Sequence, residues 1–416
     1  MIVFFIAVIK VLIILCIVAT IHELGHFLAA KFFKVGVKEF SIGFGKKIVQ
    51  KEYKNTMYSL RCLPLGGYVM IEGEGEDSDS PNSFSKQNAF VKCIILVMGV
   101  VFNFILATVI LISISFSYDT ATTKITNFTE SSILAEEGLI SGDVITKING
   151  EKVNLASELI ESKYSENEIT TIEYNRDNIL NEITVENAVL SKGQIGVVFK
   201  ISEEEETTTV VDTIYPGMPA DNNGIKEKDQ ILSINDVEVF SSSEIIAIVS
   251  ENPNKELKFK ILRGGEVIEK TITPKESKIF DLGVASTKIV KTDLKYAILK
   301  TFNVVESVIM SYVDIFKGKV GIDQVSSVVG IGNVVSKAED FTEYLNLLAL
   351  ISLAIGAANL LPFLPLDGGK IVLVLIEAIT RKKVPEKVEL IISYICFGAL
   401  ILLTVIVTFK DIIRLI

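Results

Sequence analysis

The two histidines of this chain lie four residues apart and flank a glutamate. They belong to the segment His22-Glu23-Leu24-Gly25-His26. Residues four apart share one face of an α-helix, so both imidazoles can reach the same metal ion. Glu23 directly follows His22, where a carboxylate could activate a metal-bound water molecule. The segment therefore predicts a hydrolytic metal centre, and Zn2+ is the ion that we expect it to hold.

The third ligand of this centre must come from elsewhere in the chain. A catalytic zinc ion usually has three protein ligands, and no further histidine is present. We favour Asp367, because it follows the proline-interrupted segment 359–366 and precedes Gly368 and Gly369, which let the backbone approach closely. Two alternatives remain open. Asp367 could cap the helix that follows it, and Glu377 on that helix is a rival ligand.

Membrane spans are the elements that must position these ligands. Hydrophobic residues make up 49% of the chain, and four apolar stretches reach the ~20 residues that a bilayer requires. They are Val11–Ala30, Cys93–Ser117, Leu345–Leu366 and Leu390–Phe409. We expect the first to be retained as a span, because it lacks the basic leader and cleavage site of a signal peptide. The prediction is a polytopic α-helical membrane protein whose membrane domain comprises residues 1–117 and 341–416.

The basic residues of the chain predict its orientation. Lysines and arginines are concentrated in residues 31–61 and 381–387, which connect the first two and the last two spans. Such residues favour short cytoplasmic loops, so both connections should be cytoplasmic. Residues 118–290 are predominantly acidic and should lie on the opposite side of the membrane. We expect no nucleic-acid partner for this chain, whose formal net charge is -10.

The acidic middle of the chain contains two similar units. Each has a glycine turn, an acidic residue, an alternating apolar strand and an Asn-Gly or Asn-Asp hairpin turn. The glycines are Gly138 and Gly224, so the repeat has the length of a domain. The pattern resembles PDZ domains of the permuted bacterial type. It predicts two inserted β-rich PDZ-like domains at 123–202 and 207–275, joined by an acidic linker at Glu203–Glu206.

Two further segments are predicted beside the membrane domain. Residues 293–318 carry apolar side chains at helical spacing, which indicates an amphipathic helix. That helix could lie on the membrane surface or pack against the folded protein. Residues 40–72 contain two strand-like runs separated by polar residues, which predict a β-hairpin.

Together these motifs resemble the site-2 protease family. The resemblance is carried by His22–His26 in the first span, by residues 359–369 at the end of the third, and by the PDZ-like pair between the second and third. Gly99 and Asn103 in the second span are similar to the family's Gly-x-x-x-Asn motif. The order of features resembles the bacterial four-span type, RseP/RasP-like, over essentially the whole chain. This implies a multi-pass protein of the bacterial inner (plasma) membrane with extracytoplasmic PDZ-like domains.

The resemblance implies an intramembrane zinc metalloendopeptidase. His22, His26 and Asp367 would bind Zn2+, and Glu23 would act as general base. The implied substrates are single-span membrane proteins in regulated intramembrane proteolysis, such as an anti-sigma factor or remnant signal peptides. The PDZ-like domains could bind peptide C-termini or admit only trimmed substrates. Two other functions are alternatives: a catalytically inert PDZ scaffold anchored in the bilayer, and a zinc transporter, for which too few polar residues lie within the spans.

The resemblance also implies substrate-binding residues. Asn103 and Asn359 would hold the substrate strand or the oxyanion, and the alternative for each is a hydrogen bond between helices. The hairpin at 40–72, with Gly66 and Gly67, would be membrane-associated and hold an extended substrate beside the metal. The alternative is a simple cytoplasmic hairpin.

Overall fold

The computed structural model describes residues 2–75, 78–161, 164, 169–186, 188–201, 207–318, 327–338 and 340–415. Its helices are α1 (Ile2–Phe32), α2 (Ala89–Ser115), α3 (Ile133–Glu136), α4 (Pro219–Asn222), α5 (Ser242–Ser250), α6 (Leu294–Phe316), α7 (Val328–Lys337), α8 (Phe341–Asn359), α9 (Asp367–Thr380) and α10 (Glu386–Leu415). Its strands are β1 (Val37–Tyr53), β2 (Thr56–Ile71), β3 (Thr120–Phe128), β4 (Val144–Ile148), β5 (Glu151–Lys152), β6 (Ile169–Arg176), β7 (Ile179–Glu186), β8 (Val189–Gln194), β9 (Val197–Ile201), β10 (Thr207–Ile214), β11 (Gln230–Ile234), β12 (Val237–Glu238), β13 (Leu257–Arg263), β14 (Glu266–Ile272), β15 (Lys275–Phe280) and β16 (Val284–Val290). Met1–Tyr118 and Thr292–Ile416 form one compact unit, the membrane unit, and Asp119–Lys291 form another, the β unit.

Within the described residues, four helices are long and apolar enough to cross a bilayer, as predicted. Their apolar segments are Val8–Phe32, Ala89–Ser115, Phe341–Asn359 and Lys387–Ile413, in α1, α2, α8 and α10. The third span differs from the expectation, because α8 ends at Asn359 and does not continue to Leu366. Pro362 and Pro365 lack backbone donors and disfavour helical geometry in the residues before them, so the chain leaves the helix here.

Small and polar residues bring α1, α2 and α8 close together. A β-carbon added at Gly25 on α1 would lie 2.1 Å from the carbonyl oxygen of Met98 on α2, so the two backbones are in contact. Ser352 on α8 donates a hydrogen bond of 2.9 Å from Oγ to the carbonyl oxygen of Asn103 on α2. Small residues and such hydrogen bonds are the usual means by which helices associate in membranes. The three helices therefore form a packed frame around the histidines.

The predicted amphipathic helix corresponds to α6, and one of its faces packs against the spans. Val304 and Val308 pack on the apolar cluster between α2 and α8. The hydroxyl of Tyr312 donates a hydrogen bond of 2.7 Å to the carbonyl oxygen of Ala354 on α8. Packing, one of the two alternatives, is therefore observed. Phe302 on another face of α6 is exposed, and contact of that face with lipid stays a prediction.

The predicted hairpin consists of β1 and β2, and the first half of β1 is central in it. Residues 39–42 pair with residues 67–70 and also with residues 57–60, so this segment lies between the two halves of β2. Residues 44–55, which lead into the turn between the strands, are exposed, whereas Gly66 and Gly67 are buried. The second half of β2 therefore follows the edge of the hairpin that approaches α1.

The β unit contains two apolar cores that are nested in sequence. The strand order around the first core is β16-β3-β4-β6-β7, and the order around the second is β14-β13-β11-β10-β9. Phe280 and Leu282, which precede β16, are buried in the first core, whereas Ile195, which precedes β9, is buried in the second. This differs from the end-to-end domains expected at 123–202 and 207–275. The repeat spacing locates the strands of each unit, but it does not predict which distant segment adds the outermost strand to each sheet.

Each core has the same buried carboxylate held by an arginine. Arg176 donates hydrogen bonds to both carboxylate oxygens of Asp143, and Arg263 does the same for Asp229. The two arginines also donate to the carbonyl oxygens of Gly138 and Gly224, respectively. Burial alone would raise the pKa of Asp143, but the hydrogen bonds from Arg176 and a backbone N–H hold that pKa below its ordinary value. The sequence pattern identified the aspartates but missed the arginines, which lie on a later strand.

We expect Arg176→Met to destabilise the first core, because it leaves the carboxylate of Asp143 buried without its cation. Amide hydrogen exchange of the full chain should show lost protection in β4 and β6, while β11 and β13 of the second core keep theirs. Lys260→Met is the matched control, because it breaks an exposed pair with Asp236 that solvent screens. Equal exchange in both variants would contradict the assigned role of Arg176.

Candidate metal centre

Three ligand atoms from α1 and α9 converge in the membrane unit. The Nε2 atoms of His22 and His26 lie 3.1 Å apart, and they lie 2.9 Å and 3.3 Å, respectively, from Oδ2 of Asp367. All three residues are buried. Among the residues that the structure describes, this is the group of histidine, cysteine and carboxylate side chains whose ligand atoms meet within 4.8 Å. The structure thus brings together the three ligands predicted from the sequence.

The irregular segment after α8 delivers Asp367 to the histidines. Asp367 is the first residue of α9, and the N-cap position is held by Leu366. A β-carbon at Gly368 would lie 2.3 Å from the carbonyl oxygen of Leu360, so only glycine allows this close return of the chain. Asp367 is therefore not the residue that caps α9, which was the alternative to its role as a ligand. Glu377, the rival ligand, instead accepts a hydrogen bond from the N–H of Val384.

The donor set fits a zinc ion. Oδ2 of Asp367 is buried and has no hydrogen-bond partner, although two imidazole nitrogens lie close to it. Three crowded electron-pair donors are stabilised by a cation that all of them can bind. Zinc–nitrogen distances of about 2.0–2.1 Å in a tetrahedron place neighbouring ligand atoms about 3.3 Å apart. The observed separations of 2.9–3.3 Å are close to that edge length.

Contacts behind the imidazoles orient them. Nδ1 of His26 lies 2.8 Å from the carbonyl oxygen of Ile95, so it donates there and leaves Nε2 free to bind metal. The amide of Asn103 lies 3.4 Å from Nδ1 of His22, and its own Oδ1 is buried without a partner. Turning this amide over would let Oδ1 accept from Nδ1–H of His22. Asn103 therefore faces His22, and its expected role toward a substrate stays a prediction.

Gly99 on α2 provides the space for both imidazoles, a role that sequence reasoning missed. Its ideal β-carbon would lie 2.4 Å from Nε2 of His26 and 2.8 Å from Cε1 of His22. Only the lack of a side chain allows the rings to pack directly against the α2 backbone. The Gly-x-x-x-Asn spacing therefore places both its residues against the same histidine pair.

We expect Gly99→Ala to lower zinc affinity by roughly 10- to 100-fold, because the added methyl group displaces the imidazoles. The affinity can be measured by competition with a chromophoric chelator on the full chain in detergent. Gly398→Ala on α10 is the matched control, because a β-carbon there would meet no atom within 4 Å. Similar zinc affinity in both variants would contradict the contact.

The hairpin contributes a backbone donor to the centre. The N–H of Val69 on β2 donates a hydrogen bond of 2.9 Å to Oε2 of Glu23. Gly66 and Gly67, just before it, lie beside α1, with the ideal β-carbon of Gly66 only 3.2 Å from that of Ala19. Sequence reasoning placed the two glycines near the site but missed the contact of Val69, because a backbone donor has no residue signature.

Asn359 is the last residue of α8 and is half-buried. It directly precedes the irregular segment that leads to Asp367. Its position at a helix end leaves its side chain close to the break in the span. Its role toward a substrate therefore stays a prediction.

Comparison with known proteins gives one consistent family. The profile of Peptidase family M50 matches residues 10–403. A Vibrio cholerae protein named as a zinc metalloprotease is 30% identical over 96% of this chain and 96% of its own length. The Enterococcus faecalis protein named as the protease eep is 29% identical over 98% of this chain and 99% of its own. A crystal structure of the HtrA3 PDZ domain with a phage-derived ligand covers 22% of this chain and 91% of its own, at 23% identity and a TM-score of 0.19.

Proposed function

This chain belongs to Peptidase family M50, the site-2 proteases, and is a zinc metalloprotease, and we propose from this premise that it hydrolyses peptide bonds within the membrane. The observation that carries the proposal is the convergence of His22, His26 and Asp367, with Glu23 adjacent, on helices of the membrane unit. Charged side chains within a membrane-spanning segment are energetically costly and usually have a function.

The chain's own residues supply binding and proton transfer. His22, His26 and Asp367 would hold the zinc ion, which when bound polarises a carbonyl group and makes a water molecule more acidic. Val69 N–H holds one carboxylate oxygen of Glu23, and the other oxygen takes a proton from the attacking water. Glu23 then gives this proton to the nitrogen of the leaving peptide.

The substrate must be extended before it can react. An intact helix keeps its carbonyl groups in internal hydrogen bonds, and unwound backbone in a membrane needs partners. We infer that the edge of β2 around Gly66 and Gly67 pairs with the unwound strand, since strand addition supplies main-chain hydrogen bonds. Asn359, at the break after α8, would donate to the substrate strand or to the developing oxyanion.

The placement of the β unit outside the cytoplasm is part of the proposal. The basic connections between the paired spans support a cytoplasmic location for the hairpin and an outer location for the β unit. The repeated pairs of aspartate and arginine support two related PDZ-like domains. These would bind the new C-terminus of a trimmed substrate or exclude substrates whose outer domain is intact. The substrates would be single-span proteins of a bacterial plasma membrane, such as an anti-sigma factor or remnant signal peptides.

The test is to map cleavage by the full chain in proteoliposomes. A single-span substrate should be cut within its apolar segment, as mass spectrometry of the fragments would show, and a zinc chelator should stop the reaction. Cleavage restricted to residues outside the apolar segment would contradict intramembrane hydrolysis. Binding of the substrate without any cleavage would favour the inert membrane-anchored scaffold.

A further inference from the structure

An ion pair joins the helix of Asp367 to the end of the hairpin. Nζ of Lys370 lies 2.6 Å from Oε1 of Glu74. Lys370 is three residues beyond Asp367 on α9, and Glu74 is three residues beyond the end of β2. The two side chains are only 37% and 23% exposed, so solvent screens this pair less than it screens a pair on an open surface.

Among the carboxylates that the structure describes in this turn, Glu74 is the one that pairs with α9. The neighbouring Glu72 is engaged elsewhere, because its carboxylate accepts a hydrogen bond from Oγ of Ser78 over 3.2 Å. Phe84 also donates its N–H to the carbonyl oxygen of Glu72, which holds this turn in place. Lys370 therefore pairs with a carboxylate on a turn that is held by hydrogen bonds to Glu72.

The second half of β2 is consequently attached to the centre at two places. Val69 N–H binds Glu23 on α1, and Glu74 binds Lys370 on α9. α1 carries both histidines, whereas α9 carries Asp367. The edge strand is thereby tied to both of the elements that supply the ligand atoms.

We propose that the pair of Lys370 and Glu74 is a positioning contact for hydrolysis, which rests on the proposed protease function. It holds the edge of β2, and with it the substrate strand, at a fixed distance from Asp367 and Glu23. Positioning of this kind is demanding, because a displacement of about 1 Å can cost roughly 100-fold in rate. Neither residue touches the reacting atoms, so their effect should appear in turnover and not in metal binding.

A double-mutant cycle on the full chain in proteoliposomes tests the proposal. We expect Lys370→Met and Glu74→Gln each to lower kcat about tenfold, with KM and zinc content close to those of the wild type. The double variant should be no slower than either single variant, because residues that act as one unit are not additive. Lys370→Arg should recover most of the lost kcat, since the guanidinium can still reach the carboxylate.

The pair of Lys147 and Glu173 in the β unit is the matched control, with a 2.9 Å separation and partly exposed side chains. Its neutral variants should turn over like the wild type. Wild-type kcat in the single variants of Lys370 and Glu74 would overturn the proposal, as would losses that multiply in the double variant. A loss of kcat that follows lowered zinc content or melting temperature would also overturn it. An inactive wild-type chain would instead refute the proposed function, and the positioning role would fall with it.

Discussion

The Glu23→Gln variant is expected to cleave its substrate roughly 10²–10⁴-fold more slowly than the wild type and to retain its zinc ion. Glutamine keeps the size of the side chain and can still accept the hydrogen bond from Val69 N–H at its amide oxygen. It cannot take a proton from water at neutral pH, so the step lost is proton transfer. Rates on a single-span substrate in proteoliposomes, with zinc content measured by mass spectrometry, check both expectations.

Glu377→Gln is the matched control for this variant. Glu377 is a membrane-unit glutamate that was the rival candidate, and it accepts from the N–H of Val384 away from the ligand atoms. We expect this variant to retain wild-type rate and zinc content. An undiminished rate in Glu23→Gln would refute its role as general base, and a loss of zinc in Glu377→Gln would refute the assigned ligand set.

The three side chains that converge could be identified from the sequence, because the features that single them out are local or depend on the cost of placing charge in a membrane. The i, i+4 spacing places His22 and His26 on one helical face whatever surrounds that helix. Asp367 was identified because a charge next to an apolar span needs a partner, and the histidines lacked a third ligand. The structure brings these residues together through α9, which starts at Asp367 itself.

The contacts that could not be predicted depend on tertiary geometry. The hydrogen bond from Val69 uses a backbone N–H, and any residue type could supply it. In the sequence, Gly99 is an ordinary small residue of a membrane span. Only the structure shows that both imidazoles pack against it. The pair of Lys370 and Glu74 joins residues almost 300 positions apart, a separation over which local periodicity carries no information. The nested β unit was missed for the same reason, since Leu282 is buried in a core formed mostly by residues 125–188.

Asp367→Asn is expected to lower zinc affinity by about 100-fold or more, which distinguishes this carboxylate from Glu23. Loss of an outer contact already costs about 10- to 100-fold, and Asp367 would supply one of the three ligand atoms. Asparagine retains the shape of the side chain but removes the negative charge that offsets the charge of the cation. Competition with a chromophoric chelator measures the affinity, and cleavage should fall with the zinc content.

Asp411→Asn provides the matched control for Asp367→Asn. Asp411 is also a buried carboxylate of the membrane unit, but it accepts hydrogen bonds from the N–H and Oγ of Ser327 and lies outside the metal centre. We expect its variant to bind zinc like the wild type, because an amide oxygen can still accept both bonds. Equal zinc affinity in the two variants would mean that Asp367 only hydrogen-bonds the imidazoles. A loss of zinc affinity in Asp367→Asn alone would show that the charge of Asp367 binds the cation. It would exclude a general effect of altering a buried carboxylate.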